Sequence, residues 1–386
     1  MIYLDSNATT PLRPEALEAM LPFLSERQGN PSSPHRAGHE ARAAVEEARR
    51  RIAARLGFEP EEIVFCASGT EADNLALRGV TRALRKKGRH LVTSAIEHHA
   101  VLHTARDLER DGWEVTSLPV GPDGAVRPEA LAAALRDDTV LVTVMRANND
   151  TGVVQPVAEL AALCRERGVV FHTDAVQSAG KLAERPGDLG AGLVTVSAHK
   201  LYGPKGVAAL CVRRGTPLSP VTTGGGHERG LRAGTENVAG IVGFAAAVDL
   251  AFEALAADGP RLAALRDRLE ARVLARVDGV RVNGAGAPRV PNTSSLSFRG
   301  VDGESIVLGL DVRGICVSTG SACSTGDPEP SHVLLAMGLG PRAAQGSIRI
   351  SLGRTTTEAD VDATATALLE TVTRLRAISS APDAEG

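Results

Sequence analysis

The chain has 386 residues, room for roughly two to three domains or one large domain with a smaller companion. Its composition, 43% hydrophobic and 23% charged, excludes a disordered chain, and a length of this order buries a substantial core without staples. Lys+Arg 43 against Asp+Glu 46 leaves a net charge of -3, which argues against a surface that coats nucleic acid.

The first residues, MIYLDSNATTP, carry neither a basic segment nor an apolar one, so no signal peptide is expected. No apolar run is expected to approach the ~20 residues that span a bilayer. A cytoplasmic protein without membrane or direct nucleic-acid partners follows as the default expectation. The first helix predicted from periodicity is Arg36–Leu56, where Ala41, Val45, Ala48, Ile52 and Leu56 share one face and Gly57 closes the end.

Beyond it, strand-like runs at Ile63–Cys66, Leu91–Ile96, Glu114–Leu118, Val140–Met145, Val169–Thr173, Leu193–Ser197 and Ala208–Val212 alternate with helical patterns. Those patterns lie at Glu71–Arg85, Ala100–Arg110, Pro128–Leu135 and Val157–Arg167, several closing on a glycine (Gly88, Gly112, Gly168). Strands separated by helical crossovers predict an α/β fold with a mostly parallel central sheet, whose ligands bind at the C-terminal strand ends.

After Asp258 the pattern changes. A helix at Arg261–Val277, a strand at Ser294–Phe298, a helix at Gly303–Asp311, a strand at Ser347–Ser351 and a last helix at Glu358–Ile378 predict a smaller α+β domain. The expected division is a large α/β domain over 15–257, a small domain over 1–14 with 258–378, and a frayed tail over 379–386.

Two strand ends carry the first chemical signal. Asp174 follows Val169–Thr173, and Lys200 follows Leu193–Ser197 after a further short turn, close enough in sequence for one crossover between neighbouring strands. A salt bridge at a sheet edge and a pyridoxal phosphate site both fit; in the latter the lysine bonds the cofactor and the aspartate keeps the ring nitrogen protonated. Lysine is scarce here, occurring only at 86, 87, 181, 200 and 205 among 43 basic residues. A retained lysine marks a place where an arginine, unable to lose its proton, would not serve.

Ala67–Ser68–Gly69–Thr70 opens a helix after a strand, which suits either an ordinary cap or a phosphate on free backbone N–H groups. His98 and Asn149 follow two further strands. The glycine-dense stretch 224–234 is interleaved with His227, Glu228, Arg229 and Arg232, which argues against a simple linker. The five cysteines form no C-x-x-C pair, so no metal site is expected. Cys323 sits among small residues in 318–326, the composition of an exposed, mobile loop and a reactive thiol. Arg349, inside the apolar strand Ser347–Ser351, is either a carboxylate clamp or an outward-facing strand residue.

In order along the chain, Ala8–Thr9–Thr10–Pro11, Gly29–Asn30–Pro31–Ser32–Ser33, Ser68–Gly69–Thr70–Glu71–Ala72–Asp73–Asn74, Glu97–His98, Asp174–Ala175–Val176–Gln177–Ser178, Ser197–Ala198–His199–Lys200–Leu201–Tyr202–Gly203–Pro204–Lys205–Gly206, Gly320–Ser321–Ala322–Cys323 and Ser347–Ile348–Arg349–Ile350–Ser351 closely resemble the cysteine desulfurases of the NifS/IscS type. That resemblance implies a fold-type-I pyridoxal phosphate transferase converting L-cysteine to L-alanine. By it, Lys200 holds pyridoxal 5'-phosphate covalently, Asp174 contacts the ring nitrogen, and Asn149 and Gln177 contact the phenolic oxygen. His98 stacks on the ring and assists proton transfer. Gly69, Thr70, Ser197 and His199 hold the phosphate with Thr235 from the neighbouring subunit of a homodimer.

It further implies that Arg349, with Asn30 nearby, binds the substrate carboxylate. Cys323 then carries the sulfur as a persulfide for acceptor proteins of iron–sulfur assembly or tRNA thiolation. Two positions depart from the family: Asn-Asn-Glu becomes Asn148–Asn149–Asp150, a carboxylate kept but shortened, and Ala67 stands in the phosphate loop where Gly or Ser is more typical. Another enzyme of the same fold type, a selenocysteine lyase or an aminotransferase, is the alternative expectation.

Overall fold

The computed structural model describes residues 1–319 and 330–379. The strands are β1 (Ile2–Tyr3), β2 (Ile63–Cys66), β3 (His90–Ser94), β4 (Glu114–Leu118), β5 (Thr139–Thr143), β6 (Val170–Asp174), β7 (Leu193–Ser197), β8 (Ala208–Val212), β9 (Val280–Val282), β10 (Thr293–Phe298), β11 (Ile315–Cys316) and β12 (Ser347–Ser351). The helices are α1 (Pro14–Ser25), α2 (Arg36–Leu56), α3 (Gly69–Leu84), α4 (His99–Arg110), α5 (Pro128–Ala134), α6 (Val157–Glu166), α7 (Val238–Leu274), α8 (Gly303–Asp311), α9 (His332–Ala336), α10 (Pro341–Gln345) and α11 (Glu358–Ser379).

Seven strands form the central sheet in the order β2-β8-β7-β6-β5-β3-β4. β4, β3, β5, β6 and β7 run parallel, as the alternation of strand and helix predicts. β8 instead pairs antiparallel with both β7 and β2. The link from β7 to β8 is residues 198–207, too short for the dozen or more residues of a parallel crossover, so the chain turns straight back. Apolar cores cover both faces, one built on Ile52, Val142, Phe171, Val194 and Phe244, the other on Leu75, Leu91, Leu141 and Leu210. The C-terminal ends of β3, β5, β6 and β7 therefore open on one edge.

A further core gathers β10 and β12 with Leu4, Leu265, Leu269, Ile306, Val361 and Leu368. Here β12, β10 and β9 form an antiparallel sheet, and the short β1 lies parallel to β11.

Several local expectations meet a different structure. The helix predicted from Arg261 begins at Val238 and ends at Leu274, and α1 had no counterpart in the predicted elements. The first half of α7 packs on α1 and α2, with Ile241, Phe244, Ala245, Ala247 and Val248 buried, so it is apolar on most sides and lacks an amphipathic period. By length and composition alone α7 could also cross a membrane, contrary to the expectation that no apolar run comes close. Its burial within this core accounts for that composition. Residues 257 and 258, the expected domain boundary, lie inside this one continuous helix. Finally, Gly88 is not a left-handed helix end: a Cβ there would come within 2.0 Å of the Asp138 carbonyl, so close backbone approach requires the glycine.

The glycine-dense stretch is held by charge. Arg49 on α2 is 3% exposed and reaches Glu228 with Nη1 at 2.8 Å and Nη2 at 2.8 Å. The same carboxylate accepts from the Phe65 amide at 2.8 Å, and the Arg49 guanidinium lies 4.6 Å from the Phe65 ring centre. Glu228 and Arg229 both adopt positive φ (46° and 57°), a conformation the buried pair holds in place. Arg49→Met leaves Glu228 buried without its partner and is expected to cost about 3–5 kcal/mol, read as a lower urea midpoint at unchanged slope. Arg49→Met/Glu228→Met together are expected to recover a large part of that loss.

Candidate active site

The strand ends of the parallel sheet, the start of α3, the N-terminal segment and β12 enclose a cleft of about 340 Å³. Gly69, Thr70, His98, Asn149, Asp174, Gln177, Ser197, His199, Lys200 and Arg349 all line it. The sequence thus predicted ten residues that the fold collects at one edge. Asn30 and Thr235 do not line the cleft: both are exposed in the single chain, Asn30 Oδ1 accepting from the Ser32 amide at 2.9 Å. Cys323 lies outside the described residues.

Asp174 is the last residue of β6 and is buried, its Oδ1 accepting from the Val176 amide at 2.8 Å. Burial pushes its pKa up to about 6, against the opposing pull of that amide and the Lys200 charge. A cationic ring nitrogen arriving in the cleft would complete its solvation. Lys200 ends the short turn after β7 and donates to the carbonyls of Asn7 at 2.5 Å and Ala8 at 2.7 Å. His98 is the N-cap of α4, its Nδ1 accepting from the Ala100 amide at 3.1 Å, which assigns the proton of the neutral ring to Nε2. Burial, then the Lys200 charge, pull it down to about 4, so it is neutral at physiological pH. His199 is likewise held near 4 by burial and Lys200, with Nδ1 3.2 Å from Thr9 Oγ1.

At the start of α3, Ser68 caps the helix by accepting from the Glu71 amide at 3.1 Å, and Ser68, Gly69 and Thr70 line the cleft. A Cβ on Gly69 would stand 3.3 Å from Val176 Cγ2 and 3.7 Å from Ser197 Cβ, filling the space an anion needs at this helix start. Opposite, Arg349 is 4% exposed, so the outward-facing alternative is excluded. Its Nη2 donates to Asp5 Oδ1 at 2.9 Å and its Nη1 to the Asn149 carbonyl at 3.2 Å, with Asp150 Oδ1 at 3.6 Å. Among the described residues its Nε is buried without a hydrogen-bond partner, a donor kept for something that enters the cleft. The shortened Asp150 also accepts from Ser331 Oγ at 2.6 Å.

Other parts of the site carried weaker signals. Asp73 lines the cleft one helical turn after Gly69, on the face that Gly69 and Thr70 already mark, so the 3.6 period could have found it. His172 shares the Asp174 face of β6 and bonds Thr143 Oγ1 at 2.8 Å and Thr195 Oγ1 at 3.1 Å, 3.6 Å from Asp73 Oδ1. Burial pushes His172 down to about 3 and, together with the nearby Asp174 charge, holds Asp73 well above the usual carboxylate range. Asn7 carried no local signal. It accepts from Gln177 Nε2 at 2.9 Å and donates to the Asn149 carbonyl at 3.1 Å and Thr293 Oγ1 at 2.9 Å, partners far along the chain.

Residues 2–364 match the aminotransferase class-V family. A cysteine desulfurase IscS of Dictyoglomus turgidum is 48% identical over 378 residues, covering 98% of this chain and 96% of that protein. The chain belongs to the NifS/IscS-type class-V aminotransferases. A cysteine desulfurase of Trichormus azollae is 46% identical over 379 residues, 98% of this chain and 94% of its own length. Among solved structures, a NifS-like protein superposes with a TM-score of 0.91 at 38% identity, covering 97% of this chain and 100% of that one. The structure of SspA in complex with cysteine matches with a TM-score of 0.80 at 35% identity, over 91% and 99%.

The cofactor of this class-V member is pyridoxal 5'-phosphate, and three observations fit it: the cradle that a Cβ at Gly69 would fill, the buried carboxylate of Asp174, and a primary amine at Lys200 in one cleft.

Proposed function

We infer that the protein is a pyridoxal phosphate-dependent cysteine desulfurase, which takes sulfur from L-cysteine and releases L-alanine. The observation that carries this reading is the cleft itself: a buried arginine whose Nε lacks a hydrogen-bond partner among the described residues lines it together with an amine and a carboxylate suited to one cofactor. The cofactor, when bound, supplies an electron sink for the pair left on the substrate's α-carbon. Gly69, Thr70, Ser197 and His199 hold its phosphate, Asp174 its ring nitrogen, and Asn149 and Gln177 its phenolic oxygen. Thr235 of a second copy completes the phosphate site in a homodimer.

Arg349 binds the substrate carboxylate, with its unpartnered Nε as one donor; Asn30, outside the cleft in the single chain, joins it only if its segment moves in. Lys200, as a neutral amine, takes the α-proton. His98, neutral at physiological pH with its proton on Nε2, would stack on the ring and assist proton transfer. The Cys323 thiolate attacks the substrate sulfur, forming an S–S bond as the C–S bond breaks. The bonding pair remains with carbon, which is protonated and leaves as alanine, so no outside oxidant is needed. The persulfide then passes to acceptor proteins of iron–sulfur assembly or tRNA thiolation. Cys66, Cys164, Cys211 and Cys316 are free thiols, which supports a reducing, cytoplasmic setting.

Incubation with L-cysteine and a thiol reductant is expected to release alanine and sulfide in equal amounts. Pyruvate as the main product, or amino transfer to a keto acid, would overturn this reading in favour of another enzyme of the fold. Arg349→Lys keeps a charge but loses the planar fork that meets a carboxylate. Steady-state kinetics of that variant are expected to show KM for L-cysteine raised at least about tenfold with the bound-cofactor spectrum intact.

A further inference from the structure

Asp150 and Ser331 stand behind the lining of the cleft, and the reaction outlined above gives neither a task. Asp150 follows Asn149 in the loop after β5 and is 4% exposed; Ser331 caps α9 and is 3% exposed. The Ser331 hydroxyl donates to Asp150 Oδ2 at 2.6 Å and accepts from the Leu334 amide at 3.4 Å. The other carboxylate oxygen, Oδ1, stands 3.6 Å from Arg349 Nη1 and accepts from Asn149 Nδ2 at 3.4 Å. One buried carboxylate thus bridges the cap of α9 and the guanidinium in the cleft.

Arg349 meets the same part of the chain a second time. Its amide donates to the Ser318 carbonyl at 2.6 Å, and its carbonyl accepts from the Ser318 amide at 3.1 Å. Ser318 and Ser331 flank, in sequence, the stretch that includes Cys323. Both therefore connect to the one arginine, Ser318 through the backbone and Ser331 through Asp150.

We propose that Ser331 and Asp150 are positioning residues for Arg349: the hydroxyl fixes the carboxylate, and the carboxylate fixes the angle at which the guanidinium meets a substrate carboxylate. The inference rests on Arg349 being the group that binds that carboxylate. A guanidinium is planar, so holding its two terminal nitrogens sets where Nε points. Asp5 holds Nη2 and the Asn149 carbonyl holds Nη1, while Asp150, too far for a hydrogen bond, draws on Nη1 by charge without taking up a donor. Asp5 is partly exposed and Asp150 is buried, so Asp150 is the more rigid of the two carboxylates. Without the Ser331 hydroxyl, the buried carboxylate would turn onto Nη1 and compete with the substrate. His99 on α4 also senses the Asp150 charge, but burial, then His332 and His103, favour its neutral form. Arg349 is thus the cation that answers Asp150.

L-alanine and ethylamine differ only by the carboxylate. Their binding to the chain loaded with pyridoxal phosphate, followed by the visible spectrum, therefore isolates what Arg349 contributes. The native chain is expected to favour L-alanine at least about thirtyfold, and Arg349→Lys to lose most of that preference. Ser331→Gly keeps a residue suited to a helix start but has no hydroxyl. Asp150→Asn keeps the shape and loses the charge. Each is expected to lower the preference for L-alanine about tenfold while ethylamine binds as in the native chain. The double variant is expected to lose no more than the larger single loss, because the two residues act through one contact. A native preference in Ser331→Gly overturns the proposal, as do equal losses of L-alanine and ethylamine binding, or losses that add in the double variant. A native chain without the preference, or Arg349→Lys with it intact, would instead defeat the reading of Arg349 itself. Circular dichroism identifies any variant that has lost its fold, and the remaining single variant then decides.

Discussion

Lys200→Ala is expected to lose the visible absorbance of protein-bound pyridoxal phosphate and to form alanine from L-cysteine at least about a thousandfold more slowly. The amine has two tasks in the proposed reaction, covalent capture of the cofactor and removal of the α-proton, and alanine's methyl group performs neither. Lys200→Arg is expected to fail almost as completely. Its guanidinium restores the positive charge near Asp174 yet has no proton it can give up at working pH. Retained absorbance and turnover in either variant would show that another residue holds the cofactor. Both measurements are made on the folded chain, since Lys200 lies at a turn whose backbone is fixed by Thr10 and Tyr202 rather than by the amine.

The second large effect is expected at Cys323. Cys323→Ser keeps the size of the side chain and removes the sulfur nucleophile. The variant is expected to bind pyridoxal phosphate with an unchanged spectrum, to show no persulfide by mass spectrometry, and to release sulfide at least about a hundredfold more slowly. A thiolate is needed because the substrate sulfur must be attacked at sulfur, a reaction for which an alcohol near neutral pH is a poor nucleophile. Sulfide release at the native rate would mean that sulfur departs by a route independent of this thiol.

Much of this site was readable from sequence because its parts sit where local rules apply. Asp174 and Ser197 end strands while Lys200 and the α3 start follow them, and an α/β sheet brings such positions to one edge. Arg349 stood out as a charge inside an apolar strand, although only the fold shows that it faces inward. Asn7 could not be read this way. Its role depends on contacts with Gln177, Lys181, Asn292 and Thr293, set by how the N-terminal segment crosses the molecule. The first half of α7 was missed for the opposite reason: burial among helices removes the periodic contrast that reveals amphipathic ones. The antiparallel β8 was hidden in the length of a connection rather than in the strand itself.

That long helix ties two of the molecule's apolar interiors into one mechanical unit. Ile241 to Val248 anchor it in the first, and Leu265, Leu269 and Val273 in the second. Melting of either interior therefore frays a rod that the other also grips, which couples the two. Pro260 lies between the two grips and denies the Ala256 carbonyl its usual donor, so the rod has one built-in soft joint. Arg349 and Lys200, proposed to bind substrate and cofactor, are thus borne on bodies linked by a shaft with one weakened turn.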